Sequence, residues 1–136
     1  AINLQECPAY LPINWQCVKN NLVGPVAGLS NADLSDAYLS NANLSDADLS
    51  DADLSDADLS DADLYSVGLY NANLIDADLS DADLSNANLN GADLSDADLS
   101  NADLNGAVLT GVTWNNTTCP DGTNSDNNGN TCVNNL

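Results

Sequence analysis

Residues 52–64 read Ala52-Asp53-Leu54-Ser55-Asp56-Ala57-Asp58-Leu59-Ser60-Asp61-Ala62-Asp63-Leu64, one five-residue phrase written over and over. The phrase, Ala-(Asp/Asn)-Leu-Ser-(Asp/Asn), extends with little change over residues 27–116. Its leucines are Leu29, Leu34, Leu39, Leu44, Leu49, Leu54, Leu59, Leu64, Leu69, Leu74, Leu79, Leu84, Leu89, Leu94, Leu99, Leu104 and Leu109, which makes 17 repeats, and Val112-Thr113-Trp114 reads as a degenerate further one. Two positions before each leucine stands alanine, broken only by Val67.

A period of five suits neither common element. On an α-helix at about 100° per residue, each leucine would lie about 140° from the previous one and the set would bury nothing coherent. On a strand with a period of two, successive leucines would face opposite ways. A chain that turns a corner every five residues hides them all, because each short extended side offers its alanine and leucine to a common interior. Stacked coils then bury the apolar face of their neighbours. The other three positions, rich in Asp, Asn and Ser, favour turns through hydrogen bonds to nearby backbone. Burial of a leucine is worth about 1.5 to 3 kcal/mol, so a column of them offsets much of the ordering entropy.

Ala32-Asp33-Leu34-Ser35-Asp36, Ala52-Asp53-Leu54-Ser55-Asp56 and their neighbours resemble the pentapeptide repeat family. The resemblance covers about two thirds of the chain and implies an all-β fold. That fold is a right-handed quadrilateral β-helix (solenoid) with four pentapeptides per coil, about four and a half coils here, and small N- and C-terminal caps. The departure from the family pattern is that no central position is Phe, so a slim, uniform core is expected.

Taken with that fold, the chain divides into an N-terminal cap at 1–26, the repeat helix at 27–116 and a C-terminal cap loop at 117–136. The cap at 1–26 carries Ile2, Leu4, Tyr10, Leu11, Ile13, Trp15, Val18 and Leu22 with prolines at 8, 12 and 25. Those prolines exclude one long helix, and the spacing leaves room for a short helix over 13–21. The segment reads as an apolar lid on the first coil, with a partner-binding arm as the alternative.

The 136 residues hold 21 acidic side chains against one basic one, Lys19, for a net charge of −20. That balance argues against direct nucleic-acid binding through phosphates and against anionic membrane surfaces, and no apolar run is long enough for a transmembrane helix. Apolar residues at 43% in strict period favour a folded solenoid over disorder, and a monomer is expected.

The four cysteines, Cys7, Cys17, Cys119 and Cys132, lie two at each end, outside the repeats. Three pairings are formally possible. If a rigid rod separates the ends, only Cys7 with Cys17 and Cys119 with Cys132 come within reach. Disulfides point to an oxidising compartment: periplasm, thylakoid lumen or exterior. A chain starting at Ala1 is also what signal cleavage would leave, and a trimmed chain reads the same way.

Stepping by 20 residues sorts the surface into columns. Asp36, Asp56, Asp76 and Asp96 share one corner, beside Asp58, Asp78 and Asp98, whereas another holds only Asp46 and Asp48. An acidic side and a nearly neutral side are expected. Stacked at the ~4.8 Å strand spacing, neighbouring aspartates repel by about 0.9 kcal/mol at the dielectric of water. They keep a self-complementary rod soluble, or bind divalent cations weakly. The absence of His disfavours soft transition metals, and no cofactor is expected.

The array is interrupted at Tyr65-Ser66-Val67-Gly68-Leu69-Tyr70, followed by Ile75. Tyr65, Tyr70 and Ile75 take the outward position where serine is usual, and the two tyrosines flank the corner with least charge. They form a candidate docking site for a protein partner, or a drifted repeat whose tyrosines cover backbone. Tyr38 is a further aromatic among aspartates.

In the C-terminal loop, Asn124, Asp126, Asn128 and Gly129 echo the opening of a calcium loop. The first ligand is Asn, however, and Asn135 stands where the bidentate Glu belongs, so two strong ligands are missing. A disulfide-tied turn, with Trp114 covering the final leucine, is the competing account.

No residues form a nucleophile–base pair, so the chain is not expected to be an enzyme. Two kinds of function remain: an extracytoplasmic structural or interaction scaffold, and, from the family resemblance, an acidic DNA mimic that binds DNA gyrase. A calcium-binding surface is a third reading. Cysteine-tied ends fit a cytoplasmic gyrase poorly.

Overall fold

The computed structural model describes residues 8 and 10–133. From Gly28 onward each short side bridges in parallel to the residue 20 positions later: Gly28 to Asp48, Asp33 to Asp53, Tyr38 to Asp58, Asn43 to Asp63, and so on to Asp98 with Thr118. Four pentapeptides therefore make one turn of a β-helix.

Every N–H of a typical interior phrase is accounted for. In Ala52-Asp53-Leu54-Ser55-Asp56, the Ala52 amide closes the preceding corner on Leu49 O at 3.1 Å, and Asp53 N donates back one coil to Ala32 O at 2.9 Å. Leu54 N and Asp56 N donate forward one coil, to Asn73 O at 2.8 Å and Ile75 O at 2.9 Å. The remaining amide, Ser55 N, donates to Asp53 Oδ1 at 3.1 Å, and the Ser55 hydroxyl joins it at 2.7 Å. The aspartate before each leucine thus supplies the acceptor that the ladder leaves out.

The last residue of each phrase bends the chain. Asp36, Asp56, Asp61, Asp76, Asp81 and Asp96 have φ between 54° and 61°. A negative φ at the serine, a positive φ at the next residue and an i to i+3 hydrogen bond define a type II turn, whose third position favours Gly or Asn. Asp and Asn tolerate the left-handed region better than other side chains, and Gly91, Gly106 and Gly111 fill the same place at φ 71–75°. Ser66 at φ 54° and Val26 at φ 59° are the unusual occupants.

Inside, the alanine–leucine columns form the core. The leucines from Leu29 to Leu104 are buried, as are the alanines from Ala27 to Ala102 and Val67. Leu109 departs from the expectation of a uniform column and is only partly buried, with Ala107 and Val112, since no coil lies beyond it. The helix also outlasts its expected end at 116. Thr117 is buried in the alanine position, Thr118 bridges to Asp98, and Cys119 is buried where the next leucine would stand. Trp114 likewise occupies a leucine position, stacked one coil beyond Leu94, instead of covering a final leucine.

The expected helix over 13–21 is absent. Its place is taken by an antiparallel hairpin of β1 (Gln16–Val18) and β2 (Asn21–Val23), with Val18 paired to Asn21. Lys19 and Asn20 both have positive φ, 45° and 62°. A two-residue loop of that kind matches the right-handed twist of paired strands, and this turn chemistry outweighs the helical spacing.

Among the described residues of the lid, not every apolar side chain is covered. Trp15, Val18 and Val23 pack onto the core, while Tyr10 and Ile13 stay exposed. Gly24 stands in a leucine position, and its own corner closes through Ala27 N to Gly24 O at 3.2 Å. A Cβ on Gly24 would lie 2.5 Å from Trp15 Cδ2, so the missing side chain is what seats the indole.

Candidate interaction face

One side of the solenoid differs from the other three. Its outward column is Gly28, Asp48, Gly68, Asn88 and Val108, with a single carboxylate. The neighbouring sides carry Asp33, Asp53, Asn73 and Asp93; Tyr38, Asp58, Asp78 and Asp98; and Asn43, Asp63, Asp83 and Asp103. The expected charge asymmetry is present in this arrangement.

Tyr65 and Tyr70 stand at two successive corners and bound this weakly charged side, with Gly68 between them. They enclose a side and do not flank a single corner. Each keeps 44% of its surface exposed, enough for a phenol face to meet a partner. A Cβ on Gly68 would meet only ordinary contacts with Asp48 and the Ala47 carbonyl, at 3.6–3.8 Å. Packing does not demand glycine here, and its effect is to leave bare backbone between the tyrosines. Val108, on the same column, and Val26, at the corner before it, are exposed as well. Reading the sequence along its chain misses both valines; a stride of 20 residues exposes them. Ile75 lies one corner beyond Tyr70, partly buried, and the fold does not bring it to this side. Tyr38 is exposed on an acidic side.

The acidic sides are internally hydrogen-bonded. Ser60 and Ser95 donate amide and hydroxyl to Asp58 and Asp93, as Ser55 does to Asp53. Asparagines interrupt the columns usefully: Asn73 Nδ2 donates to Asp53 Oδ1 at 3.1 Å and Asn116 Nδ2 to Asp96 Oδ1 at 2.6 Å, each one coil away. The hydroxyl and amide of Ser35, then Lys19, hold the Asp33 carboxyl below its ordinary pKa, and Lys19 Nζ sits 3.3 Å from Asp33 Oδ1. Asp48 is lowered in the same sense, by Ser50 first and then Ser30.

At the C-terminus, Cys119 and Cys132 form a disulfide with Cα atoms 5.3 Å apart. Cys17 is also disulfide-bonded, and its expected pairing with Cys7 involves a residue outside the described ones. The calcium-loop candidates serve the chain itself. Asn124 caps the short 3-10 helix Ser125–Asn128, accepting from Asp126 N at 2.9 Å. Asp126 Oδ1 accepts Asn116 N at 2.8 Å, and Asn128 Nδ2 donates to Thr123 Oγ1 and Asn124 O. Ser125 Oγ donates to Trp114 O, tying this cap to the last coil. Among the described residues no group of acidic or cysteine side chains converges on a metal position, and no helix is long and apolar enough to cross a membrane.

The sequence profile of pentapeptide repeats matches residues 27–66 and 69–113, in eight copies. The chain belongs to the pentapeptide repeat family. Among solved structures, this family member is similar to HetL, a pentapeptide repeat protein involved in heterocyst differentiation regulation from the cyanobacterium Nostoc sp. strain PCC 7120. The two are 39% identical with a TM-score of 0.66, over 68% of this chain and 43% of HetL. It is also similar to the pentapeptide repeat protein Rfr23 from the cyanobacterium Cyanothece 51142, at 40% identity and a TM-score of 0.52, over 64% of this chain and 56% of Rfr23. The matched regions thus span less than two thirds of either relative. No curated protein matches the chain.

Proposed function

We propose that this pentapeptide repeat protein is a non-catalytic scaffold of an oxidising compartment that docks a protein partner on the side bounded by Tyr65 and Tyr70. The observation that carries this reading is the placement of two half-exposed tyrosines around the one column with a single carboxylate, on a chain of net charge −20. Aromatic side chains on weakly charged surface are the usual anchors of protein contacts. The three acidic sides keep the rest of a right-handed quadrilateral rod of about four and a half coils, at 20 residues per coil, soluble and oriented. The Cys119–Cys132 disulfide supports a periplasmic, lumenal or extracellular setting.

The test is paired capture from a periplasmic or lumenal extract with the native chain, a Tyr65→Ser/Tyr70→Ser variant and an Asp58→Asn/Asp78→Asn variant. The tyrosine variant should melt like the native chain and the aspartate variant at least as high, because each substitution restores a residue type the phrase already uses. A partner held by the native and aspartate-substituted chains and lost by the tyrosine variant supports the reading. Identical captures from all three defeat it.

A second reading, mimicry of DNA toward gyrase, draws on the acidic columns. The tied C-terminus fits a reducing cytoplasm poorly. Gyrase inhibition by the purified chain would favour that reading over the scaffold.

A further inference from the structure

Three asparagines precede glycine in this chain: Asn90-Gly91, Asn105-Gly106 and Asn128-Gly129. Glycine's missing Cβ lets its amide nitrogen approach the side-chain carbonyl of the preceding asparagine, and its backbone freedom permits ring closure. Reaction still requires that nitrogen to be unengaged and the local chain to move.

The fold treats the three pairs differently. Gly91 N is locked into the ladder, donating to Thr110 O at 2.9 Å. Gly129 N donates to Ser125 O as the cap of the 3-10 helix. Gly106 N has no acceptor among the described residues. In every interior coil the amide at this corner donates to the carbonyl 19 residues on, as Asn86 N does to Asn105 O. For Gly106 that residue is Ser125, which has left the ladder for the 3-10 helix and whose carbonyl takes Gly129 N and Asn130 N instead. Asn105 itself is exposed, and beside it Ala107 and Leu109 are only partly buried, so this corner is held by less packing than any interior one.

We propose that Asn105 is a site of spontaneous deamidation and isoaspartate formation. The Gly106 nitrogen attacks Cγ of Asn105, a C–N bond forms, and the side-chain nitrogen departs as ammonia with the proton that Gly106 loses. A five-membered succinimide results. Water opens it at either carbonyl, giving a normal aspartyl residue in place of Asn105 or the isoaspartyl form in which the main chain runs through the former side chain. Either product adds a negative charge to the open end of the last coil, next to Asp103, and the isoaspartyl form lengthens the corner by one methylene.

The experiment incubates the full disulfide-bonded chain in warm, mildly alkaline buffer and follows each asparagine by peptide mass spectrometry. Isoaspartate is read by methyltransferase labelling. Asn105 should convert several-fold faster than Asn90 and Asn128, and in concentrated urea the three rates should converge. An Asn105→Ser variant, which places the usual residue at this corner, should lose the early acidic isoform while keeping its melting temperature. The proposal is overturned if Asn90 or Asn128 converts as fast in the folded chain, or if Asn105 stays intact when folded and converts in urea.

Discussion

Asp58 Oδ1 accepts both the amide of Ser60 at 3.1 Å and its hydroxyl at 2.6 Å, on a partly buried corner. The aspartate is therefore a structural acceptor as well as a surface charge. Asp58→Ala should cost about 1 kcal/mol, the value of one orphaned backbone donor. Asp58→Asn keeps the acceptor and relieves repulsion along its column, so its stability should equal or exceed that of the native chain in urea titration.

The left-handed corner position gives a second expectation. Ser66 sits at φ 54° where neighbouring coils carry Asp46 and Asn86. Ser66→Asn should stabilise by a few tenths up to about 1 kcal/mol, and Asp81→Ala, at φ 59°, should cost about 1 kcal/mol. Both shifts are read as changes in the urea midpoint with the slope unchanged.

Core truncation should depend on position. Leu74 is fully buried between coils, and Leu74→Ala should cost about 2 to 5 kcal/mol. Leu109 is partly buried at the open end, so Leu109→Ala should cost less than half as much in the same assay.

Asp33 sets a pH expectation whose sign follows from its hydrogen bonds. Its carboxyl titrates below the ordinary value, the Ser35 hydroxyl and amide being the main causes. The stability it contributes is present above the unfolded carboxylate pKa and is lost as the pH falls through the lowered folded one. Ser35→Ala should move the Asp33 titration upward, as followed by carboxyl-carbon NMR. The acidic columns respond to ions, because counter-ions screen the repulsion between stacked carboxylates. Added salt should therefore raise the melting temperature at neutral pH, most steeply below about 0.1 M, where the Debye length exceeds ~10 Å.

Reduction of Cys119–Cys132 opens a link spanning 13 residues, worth about 3 kcal/mol in the chain-entropy account. The loss should concentrate at the C-terminal end. Hydrogen exchange should accelerate at residues 117–133 first and leave the amides of the middle coils protected.

The coil, its interior and its charged sides were legible because one phrase is repeated with the leucine and alanine always in the same places. A stride of 20 then puts Asp58 over Asp78 without any knowledge of tertiary contacts. What was not legible lies where the phrase stops. Lys19-Asn20 makes a hairpin turn although Lys19 carries no turn signal, and Gly24 gives up a leucine position so that Trp15 can sit on it. Thr117 and Cys119 continue the helix with residues that look nothing like alanine and leucine, because at the last coil a small β-branched residue and a half-cystine fill the same volumes. The candidate face was legible as residue types, and only the corner geometry put Tyr65 and Tyr70 on opposite edges of one side.

The stride of 20 also governs how such an array can change in length. Loss or gain of one phrase within the helix would turn everything downstream by a quarter revolution, swinging the C-terminal cap from one side to the next relative to the tyrosines. Removal of four phrases together would shorten the rod and leave every remaining column in line. Lineages that edit this array by single phrases therefore reorient its ends, while those that edit by whole coils change only reach.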